Sequence, residues 1–292
     1  MTGSARSLDH VVIFARDLQS AAATYRRLGF QVLPLMEHAE IGTSNTVMQF
    51  HDTYLELIGD LDHCRNRALA DRTAERVEYG DGLYMASLTS SSLEADRPVL
   101  EQHGIRLDPI ISARRRLRLP RTGWAETDSR SMYAWNRART LMSLFLSDHR
   151  RPDLIWIPEY QIHPNAVEQL IQVTYVASDP RQDVAYFSSM TGSTPTVVSA
   201  ERVEFATPRG EVLEILSPAR CTQRYERLAP AWIPALGGYG IGITFQVSDL
   251  RRCRCALREG GMPFEEVVGA VRVGGAQACG VLLEFRQERE TP

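Results

Sequence analysis

Histidine and glutamate recur in this chain at positions that could bind a divalent metal ion. One short phrase occurs three times, and a marked position stands seven residues before an Asp in each copy: His10 before Asp17, Gln172 before Asp179, and Gly242 before Asp249. About 40 residues later, each copy has an apolar strand pattern with a central glutamate, namely Glu56, Glu214 and Glu284. A neutral imidazole and a carboxylate are suitable ligands for Zn²⁺, Fe²⁺, Mn²⁺ or Ni²⁺. His10 with Glu56 is therefore the best candidate for a metal-binding pair.

The three glutamates could also serve without a metal ion. A carboxylate in the middle of an apolar strand is expensive to bury without a partner, so each glutamate should have one. That partner could be an arginine instead of a metal ion, or the copies could retain the residue of an ancestral site since lost. Three roles stay open: metal ligand, ligand contact in a metal-free binding cup, and purely structural residue.

The elements that must position these residues repeat with the phrase. In the first copy a strand covers residues 8–15, Asp17 can cap a helix over 18–28, and three further strands follow. The order β-α-β-β-β recurs over 168–216 and 241–286 and, more weakly, between 83 and 157. In the weaker copy Met85 takes the place of His10, and Trp156, in a last strand near 153–157, roughly takes that of Glu56. A polar insertion lies near 119–137.

Four such units predict an α+β fold. Each unit supplies an amphipathic sheet with a helix on one face, and its open face must be buried against another unit. The four βαβββ units should therefore pair into cupped mixed β-sheets with the helices outside. We expect an N-terminal pair over residues 1–160 and a C-terminal pair over 161–292. A ligand would bind in a cup.

Composition excludes several classes of function. The 292 residues are 43% hydrophobic, as in a soluble globular protein, and the net charge of −3 gives no reason to expect a nucleic-acid partner. No apolar run reaches the ~18 residues that span a bilayer, and the N-terminus lacks the pattern of a signal peptide. Five cysteines, an odd number, favour reduced thiols. We therefore expect a cytoplasmic protein without a membrane partner.

Several phrases resemble the vicinal-oxygen-chelate superfamily, which includes glyoxalase I, extradiol dioxygenases, and fosfomycin- and bleomycin-resistance proteins. They are Leu8-Asp9-His10-Val11-Val12, Asp17-Leu18, Leu28-Gly29-Phe30 and Tyr54-Leu55-Glu56-Leu57-Ile58. The phrases Gly42-Thr43-Ser44-Asn45 and His163-Pro164-Asn165 make the chain similar, more narrowly, to bacterial glyoxalase-like domain proteins. The resemblance is specific for the fold, which hosts many activities.

The resemblance implies that each unit offers one metal ligand from its first strand and one from its last. If units one and three face each other, the ligands are His10, Glu56, Gln172 and Glu214, which is the ligand composition of glyoxalase I. If units one and four pair, the set is His10, Glu56 and Glu284. If unit one pairs with its neighbour, unit two, only His10 and Glu56 remain.

The implied function is that of a lyase or isomerase that depends on Zn, Ni, Mn or Fe. It would act on a small oxygenated substrate through an enediolate-type intermediate, and Glu56 or Glu214 would move a proton. Expected substrate contacts are Asn45, Phe50, Tyr54 and Tyr175. The resemblance also allows a homodimer.

Two other functions fit the same resemblance. A metal-free binding or resistance protein would hold a small molecule in a dry cup. An extradiol-type dioxygenase fits less well, because Gln172 and Gly242 stand where further histidines would be needed.

Two more motifs are interpreted as structural. The run Arg114-Arg115-Arg116, with Arg118 and Arg121, could hold a carboxylate or phosphate, but the pattern favours a solvated, charge-guarded strand edge. His163, beside Pro164 in a connector, is interpreted as a structural hydrogen-bonding residue.

Overall fold

Two curved mixed β-sheets, one from each half of the chain, form the scaffold. The computed structural model describes residues 4–38, 42–59 and 76–287. The strands of the first half are β1 Leu8–Phe14, β2 Met36–His38, β3 Thr43–Gln49, β4 Tyr54–Gly59, β5 Gly82–Thr89, β6 Arg106–Leu107, β7 Ile111–Ala113, β8 Arg116–Leu119, β9 Gly123–Glu126, β10 Ser129–Trp135 and β11 Leu144–His149. The first sheet has the order β2-β3-β4-β1-β5-β11-β10-β6, β7 pairs with β10, and β8 and β9 form a separate hairpin.

The second sheet repeats the pattern of the first. Its strands are β12 Val167–Ala177, β13 Val197–Val198, β14 Arg202–Ala206, β15 Val212–Leu216, β16 Gly238–Val247, β17 Glu265–Val267, β18 Ala270–Val273 and β19 Leu282–Arg286. Their order is β13-β14-β15-β12-β16-β19-β18-β17. The central pairs, β1 with β5 and β12 with β16, are both antiparallel. Each unit therefore pairs with its neighbour along the chain, unit one with unit two and unit three with unit four.

In the described residues, the first and last helices begin directly after a repeated aspartate, as predicted, and two others begin after Ser92 and Ser217. The helices are α1 Leu18–Arg27, α2 Leu93–Gln102, α3 Val184–Thr191, α4 Pro218–Tyr225 and α5 Leu250–Glu259. Asp17 caps α1 by accepting the Ser20 amide, and Asp249 caps α5 by accepting the Arg251 and Arg252 amides. Asp179 caps a short 3₁₀ turn, Pro180–Asp183, directly before α3. Among the described residues, no helix is long and apolar enough to cross a membrane.

One hydrophobic core joins the two halves. It contains alternate residues of β1 and β12 together with the inward faces of α1 and α5, and four aromatic rings from both halves meet in it: Phe30, Phe50, Phe245 and Phe285. The α+β class of cupped mixed sheets is confirmed. The predicted boundary at residues 160/161 lies between β11 and β12, and the independence of the two halves as domains stays a prediction.

Unit two differs from the prediction in its last strands. The predicted strand near 153–157 is wrong, because two 3₁₀ turns, Pro152–Leu154 and Pro158–Tyr160, flank that stretch. The last strand of the unit is β11. The preceding strand, β10, lies within the stretch interpreted as a polar insertion. The stretch contains serines because one face of β10 lines a cavity.

Candidate active site

The concave face of the first sheet holds a cavity of about 90 Å³. A water-sized sphere takes about 10–15 Å³, so there is room for several waters or a small ligand. Met85, Ile111, Arg115 and Ile155 form part of its wall. The rest of the wall is built from every second residue of five strands, as expected for side chains that alternate between the faces of a sheet. They are His10 and Val12; Thr43, Asn45, Val47 and Gln49; Tyr54, Glu56 and Ile58; Ser129, Ser131 and Tyr133; and Phe145, Ser147 and His149.

His10 is held in one orientation by its neighbours. Its ring stacks on Tyr54 with centroids 4.1 Å apart and planes 11° apart. Its Nδ1 lies 2.5 Å from Oδ1 of Asp9, which is buried. With a proton on Nδ1 donated to that carboxylate, Nε2 is left with its lone pair directed into the cavity. A carboxylate behind a histidine is the usual support for a metal-ligating imidazole.

Asp9 reaches this position because the strand is irregular there. Adjacent residues of a regular strand point to opposite faces, but the pairing of β1 with β5 shifts between Leu8 and His10. Asp9 Oδ1 therefore also lies 3.0 Å from Nε2 of His149, whose Nδ1 is 2.7 Å from the Ser129 hydroxyl. Burial would raise the pKa of Asp9, but the charge of His149 and hydrogen bonds from both histidines lower it far below its usual range. Burial opposes a charge on His149, yet Asp9 raises its pKa above the ordinary value.

Glu56 lies beside His10 in the cavity wall, on the neighbouring strand. Its Oε1 accepts a hydrogen bond from the Asn45 amide, and its Oε2 lies 3.8 Å from His10 Nε2. That distance is too long for a hydrogen bond. Two ligand atoms about 2.0–2.2 Å from one ion are separated by roughly 3.0–3.5 Å, so a small closure would place both on a divalent cation.

Strand pairing identifies the residues that oppose this pair. Glu56 pairs with Val12, two residues after His10, and Phe145 pairs with Ser87, two residues after Met85. Met85 therefore takes the place of His10 in unit two, as predicted, and Phe145 takes the place of Glu56. The assignment of Trp156 to that place is corrected, because Trp156 lies beyond β11. Two apolar side chains thus face the His10–Glu56 pair.

Gln172 and Glu214 lie in the second sheet and do not join His10 and Glu56. They contact each other, with Gln172 Nε2 2.8 Å from Glu214 Oε2. Glu214 is fully buried and also binds Arg202 and Arg224, each at 2.9 Å. Because units one and three belong to different sheets, the predicted set of four converging metal ligands is wrong, and binding of a metal ion by His10 and Glu56 stays a prediction. The proposed catalytic role of Glu214 fails with it, since both carboxylate oxygens are engaged.

The predicted substrate contacts divide in the same way. Asn45 and Tyr54 line the cavity. Phe50 and Tyr175 do not, because both are buried in the core between the two sheets. Phe50 packs on His163 and Phe245, and Tyr175 lies on the opposite face of β12 from Gln172 and contacts Phe187. Their assignment as substrate contacts is corrected.

Sequence reasoning overlooked three residues of the site. Asp9 escapes a period-two pattern because it depends on the irregularity in β1. His149 has no counterpart in the repeat, and it reaches the cavity from the same face of β11 as Phe145 and Ser147. Arg115 belongs to the run interpreted as a solvated edge. Its neighbours Arg114 and Arg116 are exposed, but Arg115 is buried and lines the cavity.

Asp9, His10 and His149 form a second group with metal-ligand chemistry, because their donor atoms lie within 4.8 Å of one another. The 2.5 Å contact between Asp9 and His10 is shorter than the separation of two ligands on one ion. These three residues therefore fit a hydrogen-bonded support, whereas His10 Nε2 and Glu56 are the pair that could hold a metal ion.

The fold relates the chain to solved structures at low sequence identity. A hypothetical protein from Staphylococcus aureus aligns over 96% of this chain and 99% of its own, with a TM-score of 0.67 and 10% identity. A mutant of 4-hydroxymandelate synthase from Streptomyces coelicolor aligns over 99% and 94%, with a TM-score of 0.62 and 11% identity. A xylose isomerase-like TIM barrel/4-hydroxyphenylpyruvate dioxygenase fusion protein aligns over 100% of this chain and 50% of its own, with a TM-score of 0.61 and 11% identity.

Sequence comparison agrees with the fold. No curated protein sequence matches the chain. The family model described as a glyoxalase-like domain matches residues 8–190, more than half of the sequence. With the paired βαβββ units and the structural neighbours, this match shows that the chain belongs to the glyoxalase-like domain family of the vicinal-oxygen-chelate superfamily.

Proposed function

We propose that the protein is a divalent-metal-dependent lyase or isomerase whose active site is the cavity of the first sheet. The observation that carries this proposal is the pair of atoms His10 Nε2 and Glu56 Oε2, 3.8 Å apart on the cavity wall. Asp9 holds the far side of His10, and Asn45 holds the second oxygen of Glu56. Zn²⁺, Ni²⁺, Mn²⁺ or Fe²⁺ suits these ligands and, when bound, acts as a Lewis acid toward substrate oxygens.

The protein's own residues have separate tasks in this mechanism. Glu56 is the carboxylate among the described residues of the cavity wall, so it can take a proton from a carbon atom beside a substrate carbonyl. Asp9 accepts hydrogen bonds from His10 and His149, so it fixes the ring of His10 and does not move a proton itself. Val12, Met85 and Phe145 make the wall apolar near the pair, which strengthens its electrostatic interactions with a bound substrate.

Metal content tests this proposal. Protein purified without chelator should contain about one Zn²⁺, Ni²⁺, Mn²⁺ or Fe²⁺ per chain by mass spectrometry of dissolved elements, and His10→Ala should lose it. Asp9→Asn should weaken metal affinity about 10- to 100-fold, because it removes the support behind His10. Gln172→Ala, in the second sheet, is the matched control and should retain the metal.

Proton exchange tests the chemistry. Hydroxyacetone in D₂O should exchange its carbon-bound hydrogens faster with the metal-loaded protein, as followed by proton NMR, and Glu56→Gln should abolish the acceleration. Substoichiometric metal that is unchanged in His10→Ala would refute the metal-dependent function.

A metal-free binding protein is the second candidate. Met85 and Phe145, both buried, supply no metal ligand at the two opposing positions, which favours a dry cup. In that case, small molecules should raise the melting temperature equally before and after chelation. A rise of about 2.7 kcal/mol in the free energy of unfolding is expected at a hundredfold excess of ligand over Kd.

A further inference from the structure

Arg115 is a buried cation in the wall of the cavity. Its exposed fraction is 8%, and its side chain forms no ion pair or hydrogen bond with another described residue. Its backbone is anchored, since its amide donates to the Thr127 hydroxyl at 3.0 Å and its carbonyl accepts from the Thr127 amide at 2.8 Å. The position is therefore built, and the guanidinium is left facing the cavity.

A buried guanidinium without a partner destabilises the ligand-free protein, and a bound anion would remove that cost. Burial lowers the pKa of Arg115, and nearby Tyr54 and Glu56 act in the opposite direction without a direct contact. Arginine keeps its proton at any pH at which the protein is folded, so the charge remains and requires an anion.

Two further polar groups of the wall point to an oxygen-rich ligand. The Thr43 hydroxyl and the Gln49 amide nitrogen are buried and have no hydrogen-bond partner in the described part of the chain. Both residues line the same cavity as Arg115. Hydroxyl, amide and guanidinium groups are all donors, which suits a ligand that presents acceptor oxygens.

We propose that Arg115 binds the oxyanion of a small substrate, a carboxylate or a phosphate, through its two-pronged guanidinium. The inference rests on the proposed function, since it places the oxyanion at Arg115 and the reacting oxygens at the His10–Glu56 pair. It narrows the substrate class to small anionic oxygenated molecules. The geometry of the guanidinium matches that of a carboxylate or phosphate and gives it a fixed orientation.

Anion binding by metal-free protein tests this inference separately from metal binding. Chelated wild-type protein is titrated with pyruvate and with inorganic phosphate at constant ionic strength, and binding is followed by calorimetry. Arg115→Gln should weaken binding about 10- to 100-fold, Arg115→Lys should weaken it less, and Arg114→Gln, an exposed neighbour, should bind like wild type. Stronger binding of pyruvate than of phosphate identifies a carboxylate, and the reverse order identifies a phosphate.

Stability gives a second and independent test. Arg115→Met removes an unpaired buried charge, so it should raise the urea midpoint of the ligand-free protein. If Arg115 were a structural residue, the same substitution would lower the midpoint. Wild-type protein should also bind pyruvate at least tenfold more tightly than the uncharged pyruvamide, which tests the inference without any variant. Equal binding of pyruvate and pyruvamide, or unchanged binding by Arg115→Gln, would overturn it. In either case the metal content of Arg115→Gln tests the proposed metal site at His10 and Glu56 separately, because Arg115 is not one of its ligands.

Discussion

The two sheets place a glutamate at the same position and give it opposite surroundings. Glu56 of the first sheet faces His10 beside a cavity. Glu214 of the second sheet is fully buried between Arg202 and Arg224, and Gln172 stands where His10 stands in the first sheet. The role of the repeated glutamate is therefore set by the residues that surround it in each sheet.

The fourth unit follows the third. Glu284 is bound by Arg272 at 2.6 Å and by Arg286 at 2.5 Å. Burial would raise the pKa of Glu284, but these two hydrogen bonds lower it below the ordinary value. Helix α4 supplies Arg224 between the two glutamates, and Arg272 donates to the Arg224 carbonyl at 3.0 Å. The concave face of the second sheet is thus occupied by a network of the chain's own cations.

The largest test of this difference compares the same substitution in the two sheets. Glu214→Gln should lower the free energy of unfolding by about 3–5 kcal/mol, because it leaves two arginines without their buried counter-ion. Glu56→Gln should change it by less than about 1 kcal/mol, because the amide has nearly the shape of the carboxylate and the contact with Asn45 can persist. Urea unfolding followed by circular dichroism measures both.

Arg114→Gln is a control for the loss of one surface charge and should unfold like wild type. Equal destabilisation by Glu214→Gln and Glu56→Gln would mean that the first sheet also uses its glutamate for stability. The contrast between the two concave faces would then be lost.

Mild acid should change the stability of the protein through residues 1–163, since all seven histidines precede residue 164. His163 accepts the Gln31 amide at Nδ1 and donates from Nε2 to the Gln49 carbonyl, so it is held neutral. Burial lowers its pKa from 6.5 to about 4. In the unfolded chain His163 binds a proton below about pH 6.5, whereas in the folded protein it stays neutral down to about pH 4. Its contribution to the free energy of unfolding is therefore complete above pH 6.5 and decreases as the pH falls toward 4. The loss between pH 7 and 5 should be about 2 kcal/mol.

His163→Gln should flatten this dependence, as measured by urea midpoints at pH 7 and pH 5. His103→Gln, at an exposed position of the first half, should leave the slope unchanged. His149 acts in the opposite direction, because its raised pKa gives stability that is present below pH 6.5 and lost as the pH rises through the folded-state value. A slope that survives in His163→Gln would assign the acid sensitivity to another group.

The repeat made the fold predictable, because it depends on local signals. Alternating apolar residues define β1 within one residue of its predicted end, and Asp17 and Asp249 mark the helix starts. Unit pairing was not predictable, since similar units offer similar open faces to any partner. His10 and Glu56 could be identified for the same local reason. Asp9, His149 and Arg115 could not. Asp9 contacts His10 through a strand irregularity, His149 lies in a distant strand, and Arg115 lies between two strands, and no short spacing encodes these positions.

A histidine introduced at the equivalent position of each sheet gives the last and smallest expected effect. Met85→His places a second imidazole opposite His10 and Glu56, which completes two histidines and one carboxylate, and it should tighten Zn²⁺ binding about tenfold, or about 1.4 kcal/mol. Gln172→His is the matched change in the second sheet and should create no site, because Arg202 and Arg224 already hold Glu214. Zn²⁺ titration in competition with a chromophoric chelator measures both variants. Zn²⁺ binding by the second sheet of Gln172→His would show that the arginines do not block a metal ion. An unchanged Zn²⁺ affinity in Met85→His would mean that the metal ion of the first sheet is not bound at His10 and Glu56.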